Sequence, residues 1–160
     1  MTTANAYRNW FKDIVENAST DANFPAHLKP KDFYYADSSR FIAATRSEIE
    51  YPCVVLEVPT YYLPQNFTSN YLKSLRGAFS IVKGCEVDDY DAQDNAMNDC
   101  EQIGVIILKK IKDFIKPQGA FFKGDIIEES VLSMLVDNNY GYRFEFYIEN
   151  LHLSQLSPCP

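Results

Sequence analysis

The chain has 160 residues, 46% of them hydrophobic and 23% charged, with a formal net charge of -7 and a pI near 4.8. That length and composition fit one globular domain with a sizeable core. The acidic balance argues against binding nucleic acid or anionic membranes through phosphate neutralisation, which requires clustered Lys and Arg.

In chain order, Tyr7, Trp10, Phe11, Ile14 and Val15 recur at i, i+3, i+4, i+7 and i+8 and predict a first helix over roughly 4–17. Thr3 or Asn5 can cap it, and the polar, Pro-containing stretch that follows breaks it. Residues 31–47 hold two aromatic or apolar triplets, Phe33-Tyr34-Tyr35 and Phe41-Ile42-Ala43, readable as short strands or as surface loop. Residues 51–59 carry Pro52 and Pro59 around Cys53-Val54-Val55-Leu56, a continuous apolar run expected of a strand covered on both faces. Thr60 to Arg76 reads as a long connection rich in Tyr and Leu, either folded over its own domain or docked on a neighbouring subunit.

Residues 77–87 alternate, with Phe79, Ile81, Cys85 and Val87 on one face, Lys83 breaking the pattern and Gly84 expected at a bulge. Residues 89–116 are the plainest helix. Ala92, Ala96, Cys100, Ile103, Ile107, Ile111 and Phe114 share a stripe, aspartates precede it, lysines crowd its end, and Pro117 and Gly119 stop it. Residues 130–136 are expected to pair with 141–149 across the turn Asp137-Asn138-Asn139. In that last strand Tyr140, Tyr142, Phe144, Phe146 and Ile148 face one way, and Arg143, Glu145, Tyr147 and Glu149 the other. The expected fold class is α+β, a mostly antiparallel sheet packed against one long and one short helix. Residues 1–150 form a single domain and 151–160 a C-terminal tail or arm.

No catalytic constellation emerges. Cys53, Cys85, Cys100 and Cys159 include no C-x-x-C pair, and with only His27 and His152 there is no zinc framework. Reduced, buried thiols and a cytosolic compartment are expected. The N-terminus has neither the basic flank nor the apolar segment of a signal peptide, and the longest apolar run, Gly104 to Leu108, is far too short to span a bilayer. Asp88, Asp89, Asp91 and Asp94 invite a metal reading, but a calcium loop opening at Asp89 would need Gly and Glu where Asp94 and Cys100 stand. A solvated helix N-terminus explains them better. Glu57 and Glu86 with Lys83 lack the spacing of a nuclease. No cofactor, no metal and no enzymatic activity are expected.

The order of these elements resembles the tail terminator, or tail completion, proteins of tailed bacteriophages. The likeness is carried by a short first helix, the strand "YPCVVLEV", a long loop, the strand "GAFSIVKGCEV" feeding the helix 89–116, and the closing aromatic strand "NNYGYRFEFYIEN". The resemblance implies a non-enzymatic virion protein, assembled in the host bacterial cytoplasm. It would form a homohexameric ring at the end of the tail tube, with the tube protein and a neck or head-completion protein as partners and DNA passing without sequence-specific binding. It places Tyr61, Tyr62, Leu63, Phe67 and Tyr71 as contact residues, and makes Asp88, Asp89, Asp91 and Asp94 candidates for the channel wall. Val105 and Ile106 join the interface set on physical grounds, because Gly104 to Leu108 is apolar around nearly the whole helix, so a further layer of the chain or another subunit must cover it. The alternatives are another phage neck, head-completion or contractile-injection ring component, an unrelated α+β binding module, and a metal-dependent enzyme.

Overall fold

The computed structural model describes residues 3–22, 24–35, 49–62, 72–86, 88–132 and 139–152. Two helices, α1 (Thr3–Thr20) and α2 (Tyr90–Ile115), lie against one face of a seven-stranded sheet. Its strands are β1 (Asp32–Tyr35), β2 (Cys53–Leu56), β3 (Thr60–Tyr62), β4 (Leu72–Gly84), β5 (Phe121–Phe122), β6 (Ile127–Leu132) and β7 (Asn139–His152). The strand order is β1-β2-β4-β7-β5, with β3 paired to β4 and β6 paired to β7. Every pairing is antiparallel except β1 with β2. The expected α+β architecture is therefore present, with one parallel pair at an edge.

The spine is β4 against β7, strands of 13 and 14 residues. Alternation sorts their side chains by face. Leu75, Phe79 and Ile81 of β4 and Phe144, Phe146 and Ile148 of β7 are buried in the main core. Phe79 stacks on Phe144 at 5.2 Å between ring centroids, and Phe11 of α1 reaches Phe79 at 5.1 Å. The helix stripes close the layer: Tyr7, Trp10, Phe11, Ile14 and Val15 from α1, and Cys100, Ile103, Ile107, Ile111 and Ile115 from α2. Each such isoleucine contributes about 1.5–3 kcal/mol of apolar burial.

Two glycines set the closeness of the layers. A Cβ on Gly104 would lie 2.0 Å from the Phe144 ring, so the small residue lets α2 settle on the sheet. A Cβ on Gly141 would lie 1.8 Å from the Ile81 carbonyl oxygen of the neighbouring strand. The ends of α2 follow the sequence. The Asp89 side chain accepts from the Ala92 N–H at 2.9 Å as an N-cap, and Gly119 takes the left-handed conformation (φ 76°) after the short 3-10 turn Lys116–Gln118.

Several expectations are corrected. Thr60 to Arg76 is not one long loop: its two ends are β3 and the start of β4, paired Thr60 to Arg76 through Tyr62 to Ser74, and only 63–71 between them lie outside the described residues. Hairpin pairing holds both ends, because Thr60 to Tyr62 find partners in Ser74 to Arg76 that no local pattern announces. Gly84 is no bulge, since it pairs with Asn139 in register; the irregularity lies between Lys73 and Leu75. The expected pairing of 130–136 with 141–149 is present at Ser130 and Val131, opposite Tyr142 and Gly141, but the strand begins earlier, at Ile127 opposite Glu145, and 133–136 lie outside the described residues. The last strand continues through Leu151 and His152, so residues 153–160 alone remain of the expected tail, and they lie outside the described residues. Phe33 to Tyr35 is strand; Phe41 to Ala43 and the turn at Asp137-Asn138 also lie outside.

Candidate functional site

The face of the sheet away from the helices carries an ion-pair ladder. Arg143 on β7 stands at its centre. Its guanidinium donates to both oxygens of Glu57, Nε to Oε1 at 2.6 Å and Nη2 to Oε2 at 3.0 Å, and Nη1 donates to Glu145 at 3.1 Å and Glu129 at 3.3 Å. Arg76 on β4 pairs with Glu145 at 2.5 Å, and Lys123 pairs with Glu149 while lying 5.6 Å from the Tyr147 ring centroid. The register explains the grouping, because Glu129 sits directly opposite Arg143, and Ala78 and Ile127 flank Glu145 from either side. Burial alone would raise the Glu145 carboxyl, but hydrogen bonds from Arg76 and Arg143 outweigh it and hold the group below the usual carboxylate range. Arg143 is held cationic first by its hydrogen bonds to Glu57.

Beside the ladder, Cys53, Val55 and Val82 form a small second core with Tyr34, Ile49, Tyr51 and Val131 around it. β2 is thus covered on both faces, as its continuous apolar run implies. Burial pushes the Cys53 and Cys100 thiols up to about 12 each. Both are therefore protonated and poor nucleophiles at neutral pH. His27 is exposed on the 3-10 turn Ala26–Leu28.

The residues singled out from sequence do not gather in one place. Tyr61 is half-buried on β3 and packs against the main core, its hydroxyl pushed up to about 12 by burial and by Tyr35. Tyr62 is 44% exposed on the other face, 5.8 Å from Tyr147. Leu63, Phe67 and Tyr71 lie outside the described residues. Asp88, Asp89, Asp91 and Asp94 are all exposed at the start of α2, and among the described residues no group of three or more His, Cys, Asp or Glu is placed to hold a metal ion. Val105 is 52% exposed on the outward side of α2. Ile106 is half-buried against the core, and both line an open depression of about 510 Å³ with Pro25, Asn98, Glu101 and Gln102.

Reading the sequence alone also missed an exposed apolar group along β5 and β6, Phe121 at 47%, Ile126 at 36% and Ile127 at 48%, and the separate exposed side chains of Val58 and Tyr90. The run Gly124-Asp-Ile-Ile-Glu-Glu carried a signal in its two isoleucines between acids, but nothing local shows that the strand ends the sheet. The ladder was half legible: the outward set Arg143, Glu145 and Glu149 is in the alternation, whereas Glu57 is 86 positions from Arg143. No helix of the described residues is long and apolar enough to cross a membrane. No protein-family model matches this sequence, and no curated protein matches it at a significant level.

Proposed function

We propose that this chain is a non-enzymatic assembly protein that works as a ring, the tail terminator of a tailed bacteriophage, capping the tail tube and offering a surface to the neck. The observation that carries this reading is apolar surface left open by the chain's own two layers: Val105 stands 52% exposed midway along a 26-residue helix, with Ile106 half-covered beside it. Val105 and Ile106 line one open depression with Pro25, and a tube or neighbouring subunit seated there would cover them together. The order of elements resembles that family, and the acid-rich start of α2 suits a wall past which DNA slides without sticking. Asp88, Asp91 and Asp94 would face the channel, and Asp89 would also cap its helix.

The test is electron microscopy of the purified chain, alone and mixed with tail tubes, together with its mass in solution. The expected result is a ring of several copies that caps tubes. Val105→Arg should abolish ring formation or capping while leaving the melting temperature nearly unchanged, since the side chain is already in water. A wild-type chain that neither assembles nor binds tubes overturns the reading.

A further inference from the structure

We propose that the open β6 edge receives an extended segment of another protein as an added strand, with apolar side chains on the ladder face alternating with lysine or arginine on the helix face. This goes beyond the ring reading and does not depend on it.

Among the described residues β6 pairs only with β7, and its outward backbone donors and acceptors meet no second strand. Such a row templates pairing with another chain unless proline, lysine or a bulge blunts it. β6, Ile-Glu-Glu-Ser-Val-Leu, has neither proline nor lysine, and its register with β7 runs unbroken from Ile127 to Leu132. Main-chain hydrogen bonds hold an added strand, and its alternate side chains give specificity.

The register fixes what each face of that strand would meet. Ile127 lies opposite Glu145 and Phe121 opposite Glu149, so both stand exposed on the ladder face. Apolar side chains of the guest on that face would cover them. Glu129 shares the face but is already held by Arg143. Glu128 lies opposite Phe144 and so belongs to the helix face, where burial and the neighbouring Glu101 of α2 raise its carboxyl. Glu101, Glu128 and the exposed Asp125 form no ion pair among the described residues. A cation on the helix face of the guest would sit beside Glu128 and Glu101 and relieve their repulsion. A second β6 brought against this edge would instead add acids to it, so charge favours a basic partner over a second copy.

The test uses the full-length chain and a synthetic peptide that alternates valine with lysine and is long enough to run beside β6. Fluorescence anisotropy should show saturable binding, and hydrogen exchange should slow in 127–132. Replacing the lysines with glutamate, or methylating the peptide's backbone nitrogens so that they cannot donate, should abolish both responses. Asp125→Lys with Glu128→Lys, both at exposed positions and checked for folding by circular dichroism, should weaken binding on the order of 10-fold. The proposal is overturned if the lysine peptide does not bind, if the glutamate or methylated peptide binds equally, or if the charge-reversed chain binds unchanged. Protection of 127–132 that instead grows with the concentration of the chain alone would put a second copy at the edge and overturn it too. The ring reading survives each of these results, since capping of tail tubes tests it separately.

Discussion

Gly104 and Gly141 occupy positions where one carbon decides the packing. Replacing Gly104 with Ala raises helix propensity by about 1 kcal/mol, yet the new Cβ would meet the Phe144 ring at 2.0 Å. Overpacking costs roughly 1–3 kcal/mol, so Gly104→Ala should lower the midpoint of urea unfolding, and Phe144→Leu in the same chain should recover part of the loss. Arg143 is a second deciding residue. Truncating it to Met would leave Glu57 without the two hydrogen bonds it accepts from the guanidinium and Glu145 with Arg76 alone, and should cost about 1–2 kcal/mol at neutral pH. The sign with pH follows from Glu145. Its folded carboxyl is held below the ordinary 4.5, so it adds stability above that value which is lost as pH falls through the lowered one. Acid unfolding should therefore be less steep in Glu145→Gln, as thermal melts taken between neutral pH and pH 3 would show.

At the scale of elements, α2 is the best specified. Asp89 caps it, lysines close it, and seven positions along one stripe are buried. Asp89→Ala should remove about 1 kcal/mol of stability, measured by chemical denaturation. If the aspartates served only as a channel wall, the loss would be no greater than for Asp91→Ala or Asp94→Ala, whose side chains make no cap. β4 and β7 are specified as a pair. Their inner faces are apolar and the outer face of β7 is charged, so a one-residue slip of β7 would drive Phe144 and Phe146 into water and Arg143 and Glu145 into the core. Among the described residues β6 is paired with β7 alone, and most of its side chains are exposed.

At the scale of the molecule, helices cover one face of the sheet, while the other is held by the ladder and the Cys53, Val55 and Val82 cluster. The ladder is partly open to solvent, so its ion pairs are screened by salt while the apolar layer is not. Raising salt from about 0.05 to 0.5 M shortens the Debye length severalfold and should lower the melting temperature only slightly, because partly exposed ion pairs contribute little. Calorimetry at the two salt concentrations would check this.

The sequence by itself determined whatever depends on periodicity and chain-local chemistry: both helices, the caps of α2, the buried strand 53–56, the outward charge of the last strand and the α+β class. These follow because neighbours in sequence remain neighbours in helices and strands. Tertiary structure alone decided which strand lies beside which. It placed β3 and the start of β4 where sequence suggested a loop, brought Glu57 across to Arg143, and set β1 and β6 on opposite sides of the β4–β7 spine. Pairing across long separations is chosen by the global fit of faces and register, to which no short window of sequence is sensitive.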